Sequence, residues 1–470
     1  MRHLYLPVTS QPRELESKLL LALFARGSGM RPIVGYKSSL LAGLPRLLPG
    51  VFLLHNARQS AEKTSLLKAF GHRVVVLDEE ALIRQSDEIF LKKHPQNAFK
   101  TVDMLLCWGQ DDHDMWQRHK VSVREGFGIV GNPRMDLLRH ELAPVQREQI
   151  DALRQRYGRY VLLNTNFPSV NNLTPQGGGV RLASWAMDER GRRIDHDFIA
   201  NKTALFEAEL DLVAPLARAI HPTTLVIRPH PNENHEPWHK SVQGISNAEV
   251  AFEGGVIPWL MAAEALIHNN CTTAVEAVVA GTPVLNFVPW LSEFDNALAH
   301  AFGQSCADAM SLAASLSDIL SGRHVPLTVE QQALLEHHIA SVSGPFSCER
   351  IVKLVDTAST RGATVGPRKR LFLEAEIGRL WLKRYVNSLA SNRGRAMRRY
   401  LAAAQPELRM HHLDHEQLGY SLEQLQLLTR QFPPLDLGAL NRRVAGYAEA
   451  LGRFGGLKVR RLSDFTFTLD

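Results

Sequence analysis

Two polar motifs carry side chains that suit an anionic ligand, and the first is Arg228-Pro-His-Pro-Asn232. Prolines on both sides of His230 stiffen its backbone and project its side chain from a strand end. Arg228, His230 and Asn232 then offer a cation, an imidazole and an amide to phosphate and sugar hydroxyl groups. The alternative interpretation is structural, with Arg228 paired to a carboxylate and His230 capping a turn.

The second motif runs from His268 through Asn269, Asn270, Thr272 and Thr273 into an apolar helix that a glycine ends. A helix that starts near Thr272 leaves N–H groups without helical partners, and these groups favour an anion. Because the motif follows a predicted strand, we expect it at the open end of a sheet. The pattern therefore predicts a phosphate site.

Three adjacent carboxylates, Asp78, Glu79 and Glu80, follow an apolar segment that is predicted to be a strand. Carboxylates this close repel each other, which raises the pKa of one and leaves a proton donor beside an ionised partner. Such a pair suits glycosyl chemistry, as acid, base or nucleophile. The alternative interpretation is an acidic first turn of a helix, which the helix dipole favours.

Other predicted strands also end in polar residues. Asn132, Arg134 and Asp136 follow the last strand of the first half of the chain. Arg134 would hold a donor phosphate or an acceptor carboxylate there, or else fasten the linker to the second half. Asn164 and Asn166 follow the first strand of the second half, where they would contact a nucleotide or shape a turn.

The sequence predicts no metal site. Residues 111–114 are three aspartates and a histidine, but they open a helix after a strand and have no second ligand cluster, so helix capping explains them better. The four cysteines stand far apart, which indicates neither a zinc site nor a disulfide framework. We therefore expect no cofactor other than a nucleotide-sugar co-substrate.

Composition indicates a globular protein with more than one core. The chain has 470 residues, of which 45% are hydrophobic and 22% are charged. No apolar run reaches the ~20 residues of a membrane span, and Pro7 interrupts the start too early for a signal peptide. We expect a cytoplasmic protein. The net charge of +6 suits several anionic partners, but nucleic acid ranks last because no aromatic residues alternate with the charges.

Short β-rich runs alternate with helical patterns along most of the chain, which indicates parallel sheets covered by helices. In the first helix, Leu15, Leu19 and Leu23 share an apolar face, and Lys18 and Arg26 are predicted to turn away from it. The predicted strands are 3–8, 32–36, 51–54, 73–77, 104–107 and 128–130, followed by 160–163, 224–227, 249–252, 265–267 and 284–287.

Three segments follow from this pattern: an N-terminal Rossmann-like domain at 1–145, a second at 146–357, and a basic, mostly helical extension at 358–470. The extension would lie against an anionic inner-membrane surface or a polyanionic acceptor, or pack on the domains with its charges in water. Residues 171–193 are predicted to form a loop at the cleft between the domains, and residues 356–367 a linker.

Taken together, the motifs resemble those of the bacterial surface carbohydrate biosynthesis proteins of capsule and O-antigen assembly. That resemblance implies a GT-B-like α/β fold, with two doubly wound Rossmann-like domains facing a cleft and a helical C-terminal extension. It also places Arg13 and Glu14, with Asn132, Arg134 and Asp136, on the acceptor side of the cleft. The similar stretches are 6–7, 13–14, 18–22, 77–80, 108–109, 131–134, 164–167, 228–231 and 268–284.

The chain is more distantly similar to transferases that use CMP-activated acidic sugars, the bacterial sialyltransferases and the β-Kdo transferases. By that resemblance His230 and Pro231 contact the cytidine phosphate, Thr272 and Thr273 bind the phosphate, and Glu276 contacts a ribose hydroxyl. Glu79 and Glu80 are then the reacting carboxylates. The acidic motif of those families ends in glycine, where this chain has an alanine.

We therefore expect a metal-independent glycosyltransferase of surface polysaccharide biosynthesis, with Kdo or another acidic 2-ulosonic sugar on a CMP donor as the specific form. Its partners would be a nucleotide sugar and a glycan or lipid-linked glycan acceptor. The alternatives are a nucleotide-sugar 2-epimerase, a CDP-polyol phosphotransferase, and a non-enzymatic scaffold that binds nucleotide or glycan in an assembly complex.

Overall fold

The computed structural model describes residues 2–56, 61–84, 86–92, 94, 97–172, 196–323, 326–357, 366, 375, 435–463 and 465–470. The chain divides into two compact units. Unit 1 comprises Met1–Glu79, His94–Asp136 and Ser343–Asp470, and unit 2 comprises Glu80–Lys93 and Leu137–Val342.

Unit 1 is built on an eight-stranded sheet with the order β13-β14-β2-β1-β3-β4-β5-β6. Strands β1 to β6 are parallel, while β14 is antiparallel to both β2 and β13. The strands are β1 (His3–Val8), β2 (Arg31–Tyr36), β3 (Gly50–Leu54), β4 (Arg73–Leu77), β5 (Met104–Cys107), β6 (Phe127–Ile129), β13 (Val459–Ser463) and β14 (Thr466–Leu469).

The parallel strands of unit 1 are apolar on both faces because helices cover both, and every residue of β1, β3 and β4 is buried. Strand β1 pairs with β2 on one side and with β3 on the other, so the direction of winding reverses between β1 and β3. In such sheets, ligands bind beyond the carboxyl ends of the strands at this reversal. We call that side of a sheet its carboxyl edge.

The helices of unit 1 include one correction to the sequence interpretation. Lys18 of α1 is 1% exposed and does not turn towards water, because its ammonium group binds Glu79 inside the unit. The α-helices are α1 (Glu16–Gly27), α2 (Lys37–Ala42), α3 (Ala61–Ala69), α5 (Gln110–Arg118), α6 (Pro133–Asp136), α15 (Ser347–Thr357) and α16 (Leu437–Leu451).

The described end of the chain adds a strand pair to the mostly helical extension that the sequence predicted. Helix α16 is present, but it leads into the β13–β14 hairpin, whose second strand pairs with β2. The hairpin covers what would otherwise be an open edge of the sheet. Most of the predicted loop at 171–193, the predicted linker and the basic stretch after it lie outside the described residues.

Unit 2 contains a six-stranded, all-parallel sheet with the order β12-β11-β10-β7-β8-β9. Counted in chain order within the unit, this is the Rossmann order 3-2-1-4-5-6. Winding therefore reverses between β7 and β10. The strands are β7 (Tyr160–Asn164), β8 (Thr224–Arg228), β9 (Ala248–Val250), β10 (Ala265–His268), β11 (Val284–Phe287) and β12 (Gln304–Cys306).

The long helix α8 packs on one face of this sheet, where Leu205, Leu212 and Leu216 meet strand residues and helix α13 in a single core. The predicted α/β class with two doubly wound units is confirmed. The remaining α-helices of unit 2 are α4 (Asp87–Lys92), α7 (Ala143–Tyr157), α8 (His196–Ala219), α9 (Glu236–Ser241), α10 (Ile257–Ala262), α11 (Thr273–Val279), α12 (Ala297–His300), α13 (Ala309–Leu320) and α14 (Val329–His338).

Candidate functional site

The carboxyl edge of unit 2 brings together the polar residues that the sequence separated. Asn164 at the end of β7 is in register with Arg228 of β8 and with His268 of β10, and His268 is in register with Asn286 of β11. The loops after β7 and β10 therefore flank the point where winding reverses, which is the usual ligand position in this topology.

A buried carboxylate that the sequence analysis missed braces two of these loops. Glu233 is fully buried and accepts five hydrogen bonds, from Thr165 Oγ1, Phe167 N, Asn171 Nδ2, His230 N and Trp238 Nε1. Burial raises the pKa of Glu233, against the effect of these donors. The carboxylate thus fixes the loop after β7 to the loop after β8.

A second brace joins the loops after β7 and β10. Asn166 Nδ2 donates to the carbonyl oxygen of Asn270 at 3.0 Å, and Asn270 Oδ1 accepts from the N–H of Asn296 at 2.7 Å. Asn270 has a φ of 51°, a left-handed conformation that asparagine tolerates better than most residues. The predicted site residues Asn166 and Asn270 therefore shape the loops around the reversal point.

His268 is a fully buried part of the same edge and is held neutral. Its Nε2 lies 2.9 Å from Asn286 Oδ1, and its Nδ1 accepts from the N–H of Cys271. Burial lowers the pKa of His268 to about 3, and His300 adds to the effect. Asn269 donates to the carbonyl oxygen of Phe287. His268 and Asn269 are thus structural supports of the loop.

The backbone of His230 is fixed, and its ring is half-buried. Its N–H donates to Thr165 Oγ1 and Glu233 Oε1, and its ring Nδ1 accepts from the N–H of Asn232 at 3.2 Å. This last contact places the ring proton on Nε2. Pro231 and Asn232 are exposed. The backbone of the segment is therefore held in place, and the contact between the ring and Asn232 fits the alternative interpretation, in which His230 caps a turn.

Arg228 does not have the geometry predicted for a phosphate ligand. Its guanidinium group donates to the carbonyl oxygens of Glu253 and Gly254 and lies over the rings of Phe252 and Trp259. Burial lowers its pKa to about 10. The guanidinium group is therefore bound to the loop after β9, where the two carbonyl oxygens accept from its N–H groups.

The helix start near Thr272 is also weaker than predicted. Helix α11 has seven residues, and the Thr272 side chain makes no cap hydrogen bond. The N–H groups of Ala274 and Val275 bond to Cys271 and Thr272. Thr273 is largely buried, and its hydroxyl contacts the Cys271 sulfur. A helix this short contributes little dipole, so the site needs another source of positive charge.

Two more residues that were predicted to bind the nucleotide-sugar donor are buried inside unit 2. Glu276 is fully buried, although the resemblance assigned it to a ribose hydroxyl. Asn164 is 6% exposed, and its Oδ1 has no hydrogen-bond partner among the described residues. A buried amide oxygen without a partner is uncommon and costly. Asn164 therefore offers an acceptor atom at the carboxyl edge.

In unit 1, Glu79 belongs to a buried ion-pair network that we call closed, because its charged groups bind each other. Its carboxylate accepts from Lys18 Nζ and from Asn132 Nδ2, each at 3.0 Å. Burial favours the protonated form, but Lys18, Asn132 and Arg13 outweigh it and bring the pKa of Glu79 to about 2. Of the predicted proton donor and its ionised partner, Glu79 therefore fits only the ionised one, because its carboxylate stays ionised at neutral pH.

The other two members of the acidic triplet lie in different surroundings. Asp78 is buried, with Oδ2 3.0 Å from His94 Nε2, and its carbonyl oxygen accepts from Trp108 Nε1. Glu80 is exposed, and the boundary between the units falls between Glu79 and Glu80. The three carboxylates therefore do not form one cluster.

His55 follows β3 at the reversal point of unit 1 and was not found from the sequence. Its carbonyl oxygen accepts from the N–H of Glu79, and its Nδ1 is buried with no hydrogen-bond partner among the described residues. Burial lowers the pKa of His55 to about 4, which leaves the imidazole neutral at pH 7. The sequence did contain one signal for His55, since it is a polar residue directly after an apolar strand.

Several residues predicted on the acceptor side have structural partners instead. Asp136 is fully buried and accepts from the N–H groups of Ser347 and Cys348, so it caps helix α15. Asn132 Oδ1 accepts from the N–H of Arg134. Glu14 accepts from the N–H and hydroxyl groups of Thr9, and Arg13 is exposed. Asp136 is therefore a helix cap, not an acceptor contact.

The described residues contain no group of three or more His, Cys, Asp or Glu side chains with the geometry of a metal site. None of the described helices is long and apolar enough to cross a membrane.

No family model matches the sequence. Curated proteins give no match either. Solved structures show partial similarity at low identity. The wall teichoic acid polymerase TagF is 9% identical, with a TM-score of 0.44, over 76% of this chain and 88% of that chain. Anabaena HepE in complex with UDP and glucose is 10% identical, with a TM-score of 0.41, over 76% of this chain and 100% of that chain.

A third similar structure is the UDP-GlcNAc 2-epimerase from Methanocaldococcus jannaschii. It is 11% identical, with a TM-score of 0.49, over 76% of this chain and 100% of that chain. These proteins include a polymerase and an epimerase, so the similarity does not select one activity.

Proposed function

We propose that this chain is a nucleotide-sugar-dependent glycosyltransferase whose unit 2 binds the nucleotide. The observation that supports the proposal is the convergence of polar loops at the reversal point between β7 and β10. Glu233 and the Asn166–Asn270 contact hold these loops in place within the Rossmann strand order. This arrangement is pre-organised, because hydrogen bonds within unit 2 hold both loops.

His230 is the residue of the loop after β8 that suits a nucleotide. Its Nδ1 accepts a backbone hydrogen bond, so the proton on Nε2 is a donor for a phosphate or ribose oxygen. The rigid backbone lowers the entropy that binding costs. Asn164 Oδ1 at the end of β7 supplies an acceptor for a hydroxyl or amino group of the ligand.

In unit 1, His55 is better suited than Glu79 to accept the proton of an acceptor hydroxyl group. Glu79 is held ionised by Lys18 and Asn132, which makes it a weak base. Burial lowers the pKa of His55 as well, to about 4, but its neutral Nδ1 is buried with no hydrogen-bond partner among the described residues, so its lone pair can accept a substrate proton. We assign Glu79 the role of orienting its two partners beside His55.

The donor that we test first is a CMP-linked acidic sugar, because the motif resemblance implies it. A thermal-shift screen of CMP, CDP, UMP and UDP decides between the candidates. A nucleotide at 100 times its dissociation constant stabilises a protein by about 2.7 kcal/mol. We expect CMP to give the largest shift. A preference for UDP would favour the 2-epimerase, a preference for CDP the polyol-phosphate transferase, and no shift with any of the four would refute nucleotide binding.

Catalysis is tested separately from binding with His55→Gln. We expect product formation to fall about 100-fold or more, because general-base catalysis contributes roughly 10²–10⁴-fold, while nucleotide affinity stays unchanged. His119→Gln, at an exposed histidine of unit 1, is the matched control. If His55→Gln and Glu79→Gln both retain the cellular role of the protein, the chain is a binding scaffold and not an enzyme.

A further inference from the structure

Helix α8 of unit 2 buries a lysine without a hydrogen-bond partner. Lys202 is 7% exposed, and its Nζ atom has no hydrogen-bond partner among the described residues. The ammonium group lies 5.4 Å from the centre of the Phe167 ring. Burying an ammonium group that has no hydrogen-bond partner costs free energy, which a ligand that binds it would offset.

The surroundings of this ammonium group come from several loops of the carboxyl edge. Phe167 follows β7, Glu233 follows β8, Cys271 follows β10 and Asp295 follows β11, and the last three interact electrostatically with Lys202. Lys202 is therefore directed from α8 to the end of the sheet where winding reverses. This is the position that a nucleotide phosphate takes in sheets of this topology.

The carboxylates near Lys202 do not neutralise it by contact. Glu233 is saturated by five donors, and Asp295 accepts from Asn270 Nδ2 and from the N–H of Ser292. Glu209, two turns along α8, is fully buried, and neither of its oxygens has a partner among the described residues. Burial raises the pKa of Glu209 well above its usual range, which favours its uncharged form and so weakens its electrostatic interaction with Lys202.

We propose that Lys202 is the cationic ligand of the nucleotide phosphate in unit 2. The proposal rests on the nucleotide-binding function given above and adds the residue that meets the charge. It also explains how this site can hold an anion, although helix α11 has only seven residues and the guanidinium group of Arg228 is already bound to two backbone carbonyls. A phosphate oxygen completes the hydrogen bonding of the ammonium group and supplies its counter-charge.

The rival explanation is that Lys202 pairs with Glu209 through water inside the core. The two explanations differ in what Lys202→Met does. This change keeps the apolar stem of the side chain and removes the charge. A phosphate ligand predicts weaker nucleotide binding with an unchanged or higher melting temperature of the apoprotein. An internal pair predicts a lower melting temperature, because Glu209 loses its partner, and unchanged nucleotide affinity.

The experiment is calorimetric titration of the full chain with CMP and UMP and with the nucleosides cytidine and uridine. For Lys202→Met we expect the affinity for the tighter nucleotide to fall about 10- to 100-fold, because a hydrogen bond to a charged group is lost. The affinity for the matching nucleoside should not change, since it has no phosphate. Lys202→Arg keeps the charge and should retain more affinity than Lys202→Met.

The controls separate this inference from the function on which it rests. Lys240→Met removes an exposed lysine of the same unit and should leave both affinities unchanged. If the wild-type chain binds nucleotide and Lys202→Met binds it equally well, the inference is wrong and the function stands. If the wild-type chain binds none of the nucleotides, the function itself is wrong. Lys202→Gln replaces the Met variant if that variant does not fold, with the same outcomes.

Discussion

The carboxyl edges of the two sheets treat buried charge in opposite ways. In unit 1, Lys18 is met by Glu79 at 3.0 Å, and Asn132 completes the network. In unit 2, Lys202 buries an ammonium group that has no hydrogen-bond partner among the described residues. A buried charge that has its partner costs free energy only when the partner is removed, whereas a buried charge without a partner costs free energy until something binds it. The difference therefore points to unit 2 as the nucleotide-binding unit.

The largest effect is expected from breaking the closed network of unit 1. Glu79→Gln leaves the Lys18 ammonium group buried without its counter-charge, so we expect a loss of about 3–5 kcal/mol in the free energy of unfolding, measured by urea denaturation. Because the pKa of Glu79 is lowered, this contribution is present above pH 4.5 and lost as pH falls towards about 2.

Lys18→Met combined with Glu79→Gln tests whether the loss comes from the pair. The double variant should recover part of the stability that Glu79→Gln loses, since no charge is left unpaired. Glu449→Gln, at an exposed glutamate of α16, is the control and should change the free energy of unfolding by less than about 0.5 kcal/mol. Equal losses in Glu79→Gln and in the control would show that the network is not closed.

A smaller effect is expected from loosening the loops of unit 2. Glu233→Gln exchanges one carboxylate oxygen for an amide donor that faces other donors, so we expect a loss of about 2 kcal/mol in the free energy of unfolding. Nucleotide affinity should fall as well, because the loops after β7 and β8 lose their brace. Glu236→Gln, exposed in the same segment, should leave both quantities unchanged.

The variant with the smallest expected effect on stability tests whether Lys202 has a partner inside the core. Glu209→Met removes a buried carboxyl group without a hydrogen-bond partner among the described residues, so we expect a gain of about 1 kcal/mol in the free energy of unfolding. Glu207→Met, exposed on the same helix, should have no such effect. A loss of stability in Glu209→Met, measured by thermal denaturation, would mean that Glu209 supports Lys202 in the core.

The strands were predictable because each buried parallel strand is a short apolar run. The runs at 73–77 and 284–287 coincide with β4 and β11. The β13–β14 hairpin was missed, because its second strand gains its apolar surroundings only by pairing with β2, far away in the sequence. A local pattern does not contain such long-range pairing.

The site was predictable to a lesser degree, because charge patterns do not reveal buried partners. The helical pattern predicted that Lys18 would face water. The burial of Lys18 is explained only by the position of Glu79 in the folded structure. Lys202 and Glu209 fall on the apolar stripe of α8, a signal that the sequence did contain. Glu233 gave no signal, since its five donors come together only in the fold.

The central claim is that the carboxyl edge of unit 2 binds a nucleotide, and a crystal structure of the chain with CMP tests it most directly. We expect the phosphate beyond the ends of β7 and β10, within hydrogen-bond distance of Lys202 Nζ, and the nucleotide in contact with His230. A nucleotide bound away from these loops, with Lys202 still without a contact to it, would contradict the claim.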